Sequence, residues 1–140
     1  MENSKCIFCK IVARQQSAKI FYEDDDILVF EDIKPASQHH YLVIPKHHIK
    51  GANYLTKNDL PLLMKMIDVG KSVLSQNNGN VDDMRLGFHW PPFNSISHLH
   101  LHVISPTSEM GFITSQIYKP DTLWFVTADY MIKRLESAKL

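Results

Sequence analysis

Apolar residues in this chain fall into short runs and one long helical stripe, and that pattern alone assigns most of the elements. Residues 21–22 and 27–30 are β-rich and flank the polar cluster Glu23-Asp24-Asp25-Asp26, the pattern of a hairpin. Residues 41–44 form a third strand, ended by Pro45. Over residues 58–76, Leu60, Leu63, Met64, Ile67, Val73 and Leu74 recur at helical spacings and make one apolar stripe. Thr56 with Asp59 resembles a capping box, Pro61 suits a first turn, and Asn77-Asn78-Gly79-Asn80 stops the helix. Residues 84–89 and 97–104 read as two more strands, and residues 5–13 and 127–138 as short terminal helices. Short loops between neighbouring strands favour antiparallel pairing. The expectation is an α+β fold: an antiparallel sheet of about five strands, the helices on one face, and one domain over residues 1–140.

Composition narrows the function. Fifteen basic and fifteen acidic residues cancel, which argues against general nucleic-acid affinity, since that rests on neutralising phosphates. No apolar run approaches the ~20 residues that span a bilayer, and residues 1–5 lack a signal peptide's apolar core. Two cysteines, Cys6 and Cys9, stand as C-x-x-C, which points to metal or redox chemistry rather than a disulfide framework. No strand precedes Cys6, so a thioredoxin-like role is set aside. A cytoplasmic and nuclear location is expected. Asp24-Asp25-Asp26 reads as a solvated hairpin, because consecutive carboxylates diverge and do not converge on a cation.

All eight histidines lie between positions 39 and 102. The last three stand in Ser97-His98-Leu99-His100-Leu101-His102-Val103, which alternates strictly. In a strand, residues two apart share a face about 7 Å apart, so His98, His100 and His102 line one surface while Leu99, Leu101 and Val103 enter the core. Such a row is a solvated polar face, a metal site or a catalytic array. Chemistry supports the last: imidazole is a good nucleophile at neutral pH, and a neighbouring imidazole can carry the proton of a leaving group.

The spacing H-x-H-x-H-x-x with apolar x resembles the histidine-triad superfamily. Residues 6–11 (CIFCKI), 30–35 (FEDIKP) and 40–49 (HYLVIPKHHI) are similar to segments of its Hint branch, in the same order, so the likeness covers about residues 5–104. Residues 87–93 (GFHWPPF) and 124–129 (WFVTAD) resemble a third group of animal Hint-type proteins and, more distantly, the catalytic domain of aprataxin. Ordinary Hint proteins carry Asn where His89 stands and a glycine-containing loop where Pro91-Pro92 stands.

The resemblance implies roles for individual residues. His100 would be the nucleophile that forms a covalent nucleotidyl-histidine, His102 a phosphate-binding proton donor, His98 an orienting residue and His40 a supporting one. A strand-start histidine in solvent is the alternative for His40. Histidine at 102, where nucleotide-transferring relatives carry Gln, implies hydrolysis by water. The adenosine slot would comprise Phe8, Ile11, Phe30, Asp32 and Ile33, with Asp32 accepting both ribose hydroxyls. Plain core is the alternative for Phe8, Phe30 and Ile33. Ser95 and Asn94 would contact phosphate or be ordinary loop residues. No Gly-rich phosphate loop is present, and neither cofactor nor metal is expected in the chemistry. For Cys6 and Cys9, the resemblance adds His48 and His98 as ligands of a structural zinc ion, against metal-free packing.

The activity implied is hydrolysis of AMP-amine phosphoramidates, and of aminoacyl-adenylates, releasing AMP. One alternative is removal of AMP from adenylated DNA ends. That role normally needs a C-terminal zinc finger, whereas this chain has no cysteine after Cys9 and no histidine after His102. Another is a non-catalytic nucleotide-binding module, which would not require His100. A homodimer with joined sheets is also implied, and Leu123-Trp124-Phe125-Val126 fits either an interface or packing within one chain.

Overall fold

The computed structural model describes residues 5–138; residues 1–4 and 139–140, included in the expected domain, lie outside the described residues. In chain order the elements are α1 (Ile7–Val12), β1 (Ile20–Glu23), β2 (Ile27–Glu31), β3 (His39–Pro45), α2 (Leu60–Gln76), β4 (Arg85–His89), β5 (Leu101–Ser105), α3 (Phe112–Ile117), β6 (Phe125–Thr127) and α4 (Ala128–Ser137), with three single 3-10 turns between them. The strands form one antiparallel sheet in the order β1-β2-β3-β5-β4-β6. Among the described residues no helix is long and apolar enough to cross a membrane.

Local chemistry accounts for the element ends. The Asp59 carboxylate accepts the Thr56 N–H at 2.8 Å, closing a 3-10 turn over Lys57–Asp59, and α2 begins one residue later with Pro61 in its first turn. The Thr127 hydroxyl accepts the Tyr130 N–H at 3.1 Å and starts α4. In the β1–β2 hairpin Asp24 Oδ1 accepts the N–H groups of Asp26 and Ile27, and Lys65 answers Asp24 and Asp26 at 3.1 Å each. The aspartate run is a hairpin, as expected.

The helices are not on one face. Ile27, Val29, Tyr41, Val43, Leu99, Leu101 and Val103 pack with Leu63, Met66, Ile67 and Leu74 of α2 and Met131 and Leu135 of α4. On the opposite face Leu28, Phe30, Leu42 and Ile44 pack under Phe8, Cys9 and Ile11 of α1. The reason is legible in β2 and β3: their apolar runs are continuous rather than alternating, so both faces of the sheet need cover. Gly70 lets α2 sit close, since a Cβ there would fall 2.8 Å from Val103 Cγ2.

Three further differences follow. The strand expected over 97–104 enters the ladder only at Leu101; ahead of it the Leu99 N–H donates to Ile49 O at 2.6 Å. The in–out alternation nevertheless survives back to His98, because Leu99 lies in the α2-side core. The sheet has six strands rather than five, since the tail containing Phe125 pairs with β4 as β6. Phe125 is fully buried within the chain, and a Cβ on Gly87 would come within 2.5 Å of its ring, so glycine there admits β6. Helix α3 carries no capping signal and was not expected.

Candidate active site

Two groups of histidines lie on the α1 face of the sheet. Adjacent strands β3 and β5 place His40 opposite Ile104 and Leu42 opposite His102, so His40 and His102 approach diagonally on one face. His40 is fully buried, which removes its solvent alternative. His98, His100 and His102 are buried as well.

Hydrogen bonds determine which ring nitrogen carries each proton. The Ala36 N–H donates to His40 Nδ1 at 2.9 Å, so a neutral His40 holds its proton on Nε2. That N–H faces His102 Nδ1 at 2.9 Å, which leaves the His102 proton on Nε2. His102 Nε2 is buried and has no hydrogen-bond partner among the described residues. His100 Nδ1 donates to His98 O at 2.7 Å, so the His100 Nε2 lone pair is free to react. Burial keeps these rings neutral: it pushes His100 down to about 4, His40 to about 3, and His102 well below the ordinary imidazole range. The site thus sets the neutral His100 ring, its Nε2 lone pair available, beside the buried His102 N–H, the two rings 5.0 Å apart.

A cavity of about 670 Å³ opens over these rings. Of the expected nucleotide contacts, Phe8, Ile11, Phe30, Asp32, Ile33, Ser95, His100 and His102 line it. Phe8 is held edge-on by Phe30 at 5.3 Å and meets His100 at 5.2 Å. Phe8 and Phe30 are therefore both core and cavity wall, whereas Ile33, 94 % exposed, is not core at all. Asp32 accepts the Lys34 N–H at 2.8 Å, and burial raises its carboxyl above the usual range. Its Oδ2 stands 3.4 Å from His40 Nε2; with His40 neutral, this contact is not an ion pair. A cation shared by Asp32, His40 and His102 does not fit, because His40 Nε2 carries hydrogen.

Of the two loop residues, Asn94 does not line the cavity; its amide donates to Ile96 O at 3.3 Å within its own loop. His98, expected as an orienting residue and a zinc ligand, does not line it: its carbonyl accepts from His100 Nδ1, its Nε2 donates to Pro45 O at 2.9 Å, and its Nδ1 turns towards the cysteines. There Cys6 Sγ lies 3.3 Å and Cys9 Sγ 3.5 Å from His98 Nδ1, Cys9 Sγ 3.3 Å from His48 Nδ1, and the two Nδ1 atoms 3.1 Å apart. The edges of a tetrahedron around zinc, with bonds of ~2.0–2.3 Å, would be roughly 3.3–3.8 Å. The four donors, clustered within 4.8 Å of one another, fit that ion.

The cavity also contains His89 and Tyr118, to which the sequence reading gave no role. His89 Nε2 donates to Ile117 O at 3.0 Å, and burial lowers its pKa. The departure from the Asn of ordinary Hint proteins was its only signal, and nothing local marks Tyr118.

Residues 5–118 match the family described as scavenger mRNA decapping enzyme C-terminal binding. The chain is 50 % identical over 135 residues to adenosine 5'-monophosphoramidase HINT3 of Xenopus tropicalis, covering 95 % of this chain and 88 % of that one. It is 46 % identical to the protein of that name from Mus musculus, over 95 % of this chain and 82 % of that one. Among solved structures, a HIT family hydrolase from Clostridium thermocellum superposes with a TM-score of 0.70 at 28 % identity, covering 74 % of this chain and 91 % of its own. With the paired histidines and cavity already in place, these likenesses settle the kinship: the chain belongs to the histidine-triad (HIT) superfamily.

Proposed function

We propose that the protein hydrolyses AMP-amine phosphoramidates through a covalent AMP–His100 intermediate. The observation that carries this reading is the proton chain from Ala36 through His40 to His102, which leaves an unpartnered N–H beside the free Nε2 of His100. The names of the frog and mouse relatives state that activity for those proteins. The His100 Nε2 lone pair forms a bond to phosphorus as the P–N bond breaks; the amine nitrogen takes a proton from solvent and departs as the neutral amine, while the His102 Nε2–H donates a hydrogen bond to a phosphoryl oxygen. Water then bonds to phosphorus and displaces His100 Nε2, its surplus proton passing to solvent as AMP is released. Phe8, Phe30 and Ile11 hold the base and Asp32 the ribose, while Ser95 donates to phosphate.

A fluorogenic adenosine phosphoramidate tests this. The protein should turn it over, and His100→Ala should lose at least about 10³-fold in kcat. Activity surviving in that variant would remove the assignment. Absent turnover with tight AMP binding would favour a binding module instead.

A zinc ion held by Cys6, Cys9, His48 and His98 is the companion proposal, supported by the near-tetrahedral spacing of the donors. Its part is structural, tying α1 to the strand that carries the histidines. Self-association is supported by exposed apolar Phe112, Ile113 and Leu123. Native mass spectrometry reads both: two 16.2 kDa chains with one zinc each are expected. A metal-free monomer would overturn the two together.

A further inference from the structure

We infer that Tyr118 is a second phosphoryl-oxygen donor of this active site, acting beside His102 Nε2; the inference rests on the phosphoryl chemistry proposed above. Tyr118 follows α3, yet its ring is set among the histidines: 5.2 Å from His102, 5.4 Å from His40 and 5.0 Å from His89. Its hydroxyl makes no hydrogen bond to any described residue, while the ring forms part of the cavity wall. The buried His102 Nε2–H, which has no hydrogen-bond partner among the described residues, and the half-buried Tyr118 therefore border one cavity. For His102, a buried donor without an acceptor is costly unless a ligand supplies one. A phosphate entering to meet His100 brings such acceptors.

The placement is reinforced from β4. Arg85 donates to Tyr118 O at 2.8 Å, and His89 donates to Ile117 O at 3.0 Å. Residues 85 and 89 lie on one face of that strand, so two side chains hold the backbone on either side of the Tyr118 amide. A ring clamped in this way meets an oxyanion without reorganising, which is what makes a preorganised donor effective. Burial, with Asp32 nearby, pushes the phenol up to about 12, so it stays protonated and keeps its O–H to donate at any working pH. Arg85 and His89 are positioning residues in this scheme.

The test uses Tyr118→Phe, which removes one oxygen and keeps the ring. Adenosine and AMP are titrated calorimetrically into both proteins, and phosphoramidate turnover is measured in parallel. The variant should bind adenosine as the parent does, bind AMP roughly tenfold more weakly, and lose about 100-fold in kcat with an unchanged melting temperature. Unchanged AMP affinity together with unchanged kcat would overturn the inference. Adenosine and AMP affinity falling equally would do so as well, since that marks damage to the slot. If the parent binds AMP without turnover, the hydrolase reading fails, and the AMP-to-adenosine ratio still decides Tyr118.

Discussion

His40 shows how much one buried side chain can impose on the molecule. It accepts from a backbone N–H, donates to His102 and is fully buried, so a second proton, on Nδ1, would face the Ala36 N–H away from water. Burial lowers its pKa in the folded protein to about 3, whereas the unfolded chain takes up a proton near 6.5. Between those values only the unfolded state is protonated, so the stability from a neutral His40 is complete above about 6.5 and is lost as pH falls towards 3. From pH 7 to pH 5 the loss from His40 alone should be about 2 kcal/mol. Denaturant unfolding at the two pH values should show His40→Gln losing less stability on acidification, by about that amount. Equal losses in parent and variant would contradict this account. At the same scale, the shared face of His98, His100 and His102 was legible in the sequence because alternation is a local property. The turn of His98 towards the cysteines was legible only through the resemblance, since it depends on α1, nearly a hundred residues away in the chain.

Among the elements, α1 is the one least able to form alone. It has six residues, well below the length at which an isolated helix persists, and its cap is the Cys6 sulfur accepting the Cys9 N–H at 3.4 Å. Its position rests on Phe8, Cys9 and Ile11 packing on the sheet and on the four-donor cluster. Removing zinc with a strong chelator should lower Tm by roughly 5–10 °C. Cys9→Ser should start lower and respond little to the chelator. A parent protein indifferent to chelation would refute the tether. Helix α2 could be read in advance because its capping box and apolar stripe agree, and the structure keeps that box; the Thr127 cap of α4 emerges only in the structure. Strand β6 could be placed only loosely, within a C-terminal strand/helix extension of about residues 105–140. Three residues are too few to show a period, and the apolar run 123–126 fitted an interface equally well until pairing with β4 buried Phe125.

Over the whole molecule, the sheet separates two tasks. The α2 and α4 face is a continuous apolar core, and the α1 face carries the cavity and every buried histidine. An α+β antiparallel architecture was legible because connection lengths constrain topology. The second layer was missed because unbroken apolar runs in β2 and β3 do not say which face a helix will cover. The cavity is assembled from α1, β2, β3, the loop before β5, β5 itself, β4 and the end of α3, so its His89–Tyr118 side is a product of tertiary folding.

The turn of His98 towards the cysteines alters how genetic damage here ought to be interpreted. Its backbone carbonyl holds the His100 ring, and its imidazole joins the sulfur pair. Under the proposed mechanism, a mutational scan would score three neighbouring histidines as equally intolerant, although two would fail for chemical reasons and the third for an architectural one. Sensitivity ranking alone would then count a trio of one kind where the fold supplies a pair and its bracket.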